Sequence, residues 1–279
     1  MEKSPIKAPK NTTELTQAAK TAAPAKVQKQ ANALTYLQGD AFKRQLAAAL
    51  PKFFDTDRFT RAAMSEFRLN PALQDCSVPS VLGYFMQAAM SGLEPSSTLG
   101  QCYPVPFNNH KTGQRECQFI MGYRGMLSLA RRSGEVQSVS AEVVHEKDTF
   151  ELTYGLEQNL IHKPFTDGDP GKVTGAYCIV RFKDGSYQMK HMSIYEIEQR
   201  RKRSKAGSFG PWKTDFEEMC KKTVFRNLFK WLPISIEAGN AMAADDNVVN
   251  YKPDGDGEEA IEISFTGNDD LAQEEGAEE

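Results

Sequence analysis

Pairs are what the cysteines of this chain lack. None of the five, at 76, 102, 117, 178 and 220, stands in a Cys-x-x-Cys arrangement, and their number is odd. That excludes a disulfide scaffold and a zinc ribbon, and leaves reduced thiols with structural roles. Long apolar runs are missing too. None approaches eighteen residues, the length a membrane helix needs. The opening MEKSPIKAPK carries no apolar stretch of the secretory kind, so the expected compartment is the cytosol. Catalytic signatures are absent in turn. There is no Gly-x-Ser-x-Gly, no His-Glu-x-x-His and no His-x-Glu with a Pro-Cys-x-x-Cys. Gly171-Lys172 lacks both the upstream glycine and the following hydroxyl residue of a phosphate loop. Histidines are few, and His145, His162 and His191 fit no metal-ligand spacing; they read as satisfied structural residues. Glu142, Glu146 and Asp148 alternate along strand and turn and form no carboxylate cluster of the nuclease type. No catalytic residue and no metal ligand is expected.

What is there is charge, unevenly placed. The formal net charge is −3, yet residues 1–34 carry six Lys against two Glu, and residues 240–279 carry thirteen Asp/Glu against one Lys. The body, 35–239, is therefore left at about +5, a basic body with an acidic tail. Residues 1–34 are rich in Ala, Lys, Thr and Gln and hold no aromatic, too little apolar surface to offset the entropy of ordering. They are expected to be a disordered arm, and 240–279 an acidic disordered tail. Within the tail, Ile261, Ile263 and Phe265 form an apolar patch suited to docking a partner.

Between these ends the periodicity changes once. Helices are expected over Phe42–Leu50, from Asp55 or Thr56 to Asn70-Pro71, and from Ser77 to a stop at Gly92. Arg58, Arg61 and Arg68 on the second read either as groove-lining or as solvent-facing charges. Beyond Pro95, Gly100–Phe107 and Glu116–Tyr123 predict a hairpin with a polar, basic tip that includes His110, Lys111 and Arg115. Gly122-Tyr123-Arg124-Gly125 then opens a helix closed by Gly134. Arg124 and Arg131, two turns apart, point the same way, either to hold phosphate through planar forks or as ordinary surface arginines. Strands are predicted over 136–144, 149–154, 173–182 and 186–192, the last two turned at Asp184-Gly185. Ser193 is placed to cap the helix that follows.

The densest chemistry lies in residues 199–233, with ten Lys/Arg against three Asp/Glu, both tryptophans and four phenylalanines. Ala206 to Pro211 reads as a flexible joint. Thr214 is expected to cap the next helix with Glu217 as its box partner. On that helix Lys222, Arg226 and Lys230 form one stripe, while Phe216, Cys220, Val224, Leu228 and Leu232 form an apolar face. Glu217 and Glu218 precede Lys221 and Lys222 by four residues and are expected to pair with them; Arg226 and Lys230 have no such partner in sequence. Cations beside aromatics make a nucleic-acid groove, and the same pattern also describes a helix with a solvated basic face. Trp212 is expected to contact DNA or fix the loop that does, and Trp231 to sit in the core.

Three segments, GLEPSSTLGQCYPVPF, QFIMGYRGMLSLARRSG and SKAGSFGPWKTDFEEMCKKTVFRNLFKWLP, resemble, in order, the RecT family of phage single-strand annealing proteins. The likeness covers about residues 40–237. It implies an α+β fold, a single DNA-binding body of helices on a mainly antiparallel sheet. It implies ATP-independent binding of single-stranded DNA, annealing of complementary strands in phage recombination, and assembly into rings or helical filaments. No cofactor is implied, with magnesium as a modulator of DNA binding. The implied partners are a phage exonuclease and the host single-strand-binding protein, in the bacterial cytoplasm. The resemblance carries the DNA-binding role onto Tyr123, Arg124, Arg131, Arg132, Lys205, Trp212, Lys221, Lys222 and Arg226, with the hairpin tip at Lys111 and Arg115. Phe209 and Lys213 join this set from the same stretch. Backbone contact suits annealing, because base edges must stay free for the second strand. The rival readings are a packaging protein for duplex DNA or RNA and a metal-dependent nuclease.

Overall fold

The computed structural model describes residues 33–251, apart from 111, 205, 206, 208–210, 234 and 246, together with the backbone of 264–266. The arm, Lys111, Lys205, Phe209 and most of the acidic tail fall outside the described residues.

Helix α1 (Asp40–Ala49) is followed by α2 (Thr56–Leu69), whose first turn is closed by Asp55: its carboxylate accepts the Arg58 N–H at 2.6 Å. Pro71 then starts a short 3-10 helix, Pro71–Asp75. Helix α3 (Val78–Met90) is the hub. Ser80 through Ala89 are all buried, as expected of a helix that is apolar all round. It ends with Gly92 beyond the cap at φ 58°.

The hairpin forms with β1 (Cys102–Asn109) antiparallel to β2 (Gln114–Met121), each strand running two residues further towards the tip than expected. Helix α4 (Tyr123–Arg132) follows at once. The second half is built on a three-stranded antiparallel sheet in the order β3 (Val136–His145), β6 (Val173–Phe182), β7 (Tyr187–Ser193). Between β3 and β6 runs a separate hairpin, β4 (Thr149–Thr153) and β5 (Asn159–Lys163). The second of these strands was not expected. It is short and none of its side chains is buried, and it is secured by tertiary contacts instead: His162 lies edge-on to Tyr177 with ring centroids 5.5 Å apart, and the Tyr187 hydroxyl donates to the Gln158 carbonyl at 2.8 Å.

Helix α5 (Ile194–Arg203) opens with the Ser193–Glu196 capping box. A four-residue helix α6 (Pro211–Thr214) precedes α7 (Phe216–Phe229), which packs across β3, β6 and β7. The expected Thr214 cap does not form. Thr214 belongs to α6, and its hydroxyl turns to Asp215. Cys220, Val224, Leu228 and Leu232 are buried as the spacing predicts. Helices α4 and α5 flank α7, the former also against β3, the latter against β6 and β7.

The boundary expected at 239/240 needs correction. Residue 240 lies inside α8 (Ile236–Ala244), and strand β8 (Val248–Asn250) follows, paired with β9 (Ser264–Thr266). Ala241, Ala244, Val248, Val249 and Tyr251 are core residues. This strap lies so close to α3 that a Cβ on Gly83 would stand 1.8 Å from the Val249 carbonyl oxygen. The tail composition hid this, because small residues and a few valines pack well against a hub that is already apolar. Among the described residues no helix is long and apolar enough to cross a membrane.

Candidate nucleic-acid interface

The glycines of Gly122-Tyr123-Arg124-Gly125 set the position of α4. A Cβ on Gly122 would meet the Gly100 carbonyl oxygen at 2.1 Å, and one on Gly125 the Gln101 carbonyl oxygen at the same distance. The close approach these glycines permit is therefore to the chain's own backbone. It seats α4 on the loop before β1 and leaves Tyr123, Arg124 and Arg131 exposed. Arg124, Leu127, Ser128, Arg131 and Arg132 line an open cleft of about 410 Å³, with no carboxylate among the described residues that line it.

The three arginines differ. Arg124 and Arg131 extend to solvent. Arg132 is half-buried, and burial lowers its pKa against the opposing pull of Glu237. Its Nε and Nη2 donate to Ser128 Oγ at 3.4 and 3.0 Å, and its guanidinium lies 5.3 Å from the Phe53 ring centroid.

On α7 the expected stripe is divided. Lys221 donates to Glu218 Oε1 at 3.0 Å and lies 3.9 Å from Glu142. Burial works against its charge, but these carboxylates, Glu218 first, raise its pKa overall. The partner is thus the residue one turn back at i−3, not Glu217. Glu217 instead faces the His145 ring at 3.3 Å. Arg226, expected to lack a partner, forms an ion pair at 2.7 Å with Asp245, whose side chain is only 4% exposed. Asp245 also accepts the Met121 N–H at 2.7 Å, so one carboxylate ties α7, the end of β2 and the end of α8 together. Lys222 is half-buried, whereas Lys230 and Lys213 are exposed.

The tryptophans exchange their expected environments. Trp212 is 4% exposed, packed against Phe216 and under the Arg201 guanidinium, while Trp231 is 76% exposed. Arg201 also donates to the Gly207 carbonyl at 2.7 Å. Trp212 therefore anchors the joint after α5 from within the core, which is the loop-fixing half of its expected role; direct contact is closed to a ring so buried. Trp231 lies just past the end of α7 at Phe229, where its ring faces solvent and Leu232 turns inward.

Arg115 is exposed near the hairpin tip, 3.6 Å from Asp75. At ~3.3 Å per residue of strand it lies roughly 20 Å from the start of α4. The structure brings together Arg124, Arg131 and Arg132 in one cleft, which Arg115, near the hairpin tip, does not line.

The sequence was compared with known proteins. The RecT family profile matches residues 57–263. The chain is 45% identical over 226 residues to Protein RecT of Escherichia coli strain K12, covering 80% of this chain and 83% of that protein. The chain belongs to the RecT family. It is also 26% identical over 226 residues to Uncharacterized protein YqaK of Bacillus subtilis strain 168, covering 80% and 76% of the two chains. RecT family membership makes it a DNA-binding protein of recombination.

The RecT body also holds a polar network that the sequence left scattered. Asp148, 1% exposed at its side chain, accepts the N–H groups of His145 at 2.7 Å and Phe165 at 2.8 Å, and the His162 ring Nε2 at 3.0 Å. The other nitrogen of His162 accepts from the Tyr177 hydroxyl at 3.2 Å. Burial pushes the Asp148 carboxyl up, but these donors, Phe165 first, outweigh it and hold the pKa at about 2. The network joins the β4–β5 hairpin to the main sheet and, through His145, to α7. All five cysteines are buried and unpaired, and burial pushes their thiols up, Cys102, Cys178 and Cys220 to about 12. Such thiols are inert.

Proposed function

We propose that this RecT family chain binds single-stranded DNA along its phosphate backbone, without ATP, and anneals complementary strands as an oligomer, a ring or helical filament. The observation that carries the reading is the cleft of about 410 Å³ on α4, lined by the exposed Arg124 and Arg131 and by no carboxylate among the described residues. Two extended guanidinium groups two turns apart on one helix face suit a phosphate backbone, and they read no base edge. Lys213, Lys222 and Lys230 add positive charge along the flanking helices. The buried, deprotonation-resistant thiols and the hydrogen-bonded histidines are used by the fold, which leaves binding as the work of the surface. A phage exonuclease and the host single-strand-binding protein are the partners this role calls for.

Mixing two complementary oligonucleotides with the purified protein, without nucleotide, and following pairing by fluorescence tests the reading. Pairing faster than the spontaneous rate is the expected result. No acceleration, or a preference for duplex over single strands in competition, would sink it.

A further inference from the structure

We propose that the exposed ring of Phe53 is a base-stacking platform for single-stranded DNA at the rim of the α4 cleft, held in position by Arg132. The proposal rests on the single-strand reading above and names a residue that carries the bases, where Arg124 and Arg131 carry the phosphates.

Phe53 and Phe54 are adjacent in the connection between α1 and α2, yet they part company. Phe54 turns inward, 6.4 Å from Phe59 edge-on, while Phe53 stays 64% exposed. Exposure does not make it loose. The Phe54 ring lies 5.3 Å away, and the ring tip of Phe53 is 3.5 Å from where a Cβ on Gly92 would stand. The Arg132 guanidinium sits 5.3 Å from its centroid.

Arg132 is itself fixed. Two of its nitrogens donate to Ser128, and Nη1, which finds no acceptor among the described residues, is buried beside Gly92. Its burial turns this arginine from solvent towards the ring, which makes it a positioning residue in a cleft whose two other arginines are free to extend. The sequence Ser128, Arg132, Phe53 is thus a stack of fixed groups ending in an aromatic surface open to water. Lys52, next in chain, is exposed beside it. An aromatic surface flanked by cations attracts the faces of bases attached to phosphates, and stacking accepts every base, as annealing requires.

The test uses the full-length protein and two labelled strands of equal length, oligothymidine and a wholly abasic strand, read by fluorescence anisotropy. Phe53→Ala is expected to weaken oligothymidine binding by about 5- to 100-fold. It should leave abasic binding and the salt slope unchanged, and Phe53→Tyr should restore the loss. Equal loss on both strands, no loss on either, or no rescue by tyrosine overturns the platform. So does a smaller assembly of Phe53→Ala on size-exclusion chromatography, which would assign the ring to a contact between subunits. If the unsubstituted protein binds neither strand, the single-strand reading fails with it; if it binds both and Phe53→Ala matches it, only the platform fails.

Discussion

Trp212 and Trp231 show how little residue type decides without its surroundings. Buried under Arg201 and against Phe216, Trp212 is expected to cost about 3–5 kcal/mol of stability when truncated to alanine. Trp231→Ala should stay within about 0.5 kcal/mol, the range of surface changes. Thermal melts of the two variants check this, and equal melting would remove the distinction. Among the cations, Arg124→Ala and Arg131→Ala are each expected to shallow the salt dependence of single-strand binding by about one. Lys221→Ala should change it less, because Glu218 and Glu142 already hold that ammonium. A plot of log affinity against log salt for the three variants decides the ranking; unchanged slopes for Arg124 and Arg131 would remove them from the interface.

Among the buried carboxylates that join elements are Asp245 and Asp148. Asp245 closes α8 against α7 and β2 through Arg226 and the Met121 N–H. Asp245→Ala removes the acceptor of a buried N–H and one partner of the half-buried Arg226, at a cost of about 3 kcal/mol, the low end for breaking a buried pair. Asp245→Asn retains an acceptor for Met121 and should cost less. Urea unfolding of both variants measures the order, and a reversed order would place the main effect elsewhere. Asp148 does the same for the β4–β5 hairpin. Its folded pKa of about 2 lies below the ordinary aspartate value of 3.8, so its contribution is full above about pH 4 and fades as pH falls towards 2. An acid titration followed by near-ultraviolet circular dichroism should show that step in the parent protein and lose it in Asp148→Asn.

For the whole molecule, the charge gradient along the chain separates what can be cut from what cannot. Deleting 241–279 removes Ala241, Ala244, Val248, Val249 and Tyr251 from the core, and a large loss of melting temperature is expected. Deleting 267–279 removes six Asp/Glu and none of these residues, so the melt should hold. That shorter cut should also raise single-strand affinity at low salt, because a tethered polyanion competes with phosphate for the same cations. The gain should fade as the Debye length shrinks from about 30 Å at 0.01 M salt to 8 Å at 0.15 M. Binding no tighter at low salt would reject competition, and partner docking through Ile261, Ile263 and Phe265, which this cut retains, would be the use left for the tail.

Local rules in the sequence determined α1 to α3, the first hairpin, α4 and the Ser193–Glu196 box, because caps, glycines and periodicity act between near neighbours. They also determined the arginines of α4, since two turns of helix fix their common face wherever the helix lies. Only the tertiary structure decided which side chains those surfaces keep free. Arg226 was spoken for by Asp245, a residue whose acidic, glycine-poor surroundings gave no periodic signal. Trp231 was turned out at a helix end, and β5 was held by the Tyr177 ring of β6 against His162. The strap at 236–251 belongs to the body because α3 is buried on every side and needs a cover, a demand written in α3 and met by residues that look like the start of a tail. Phe53 is a further case the sequence left unread: Phe54 turns inward, while packing against Arg132 left Phe53 facing water. Spacing can place a charge on a face; partners from distant segments decide whether that charge is still available to a ligand.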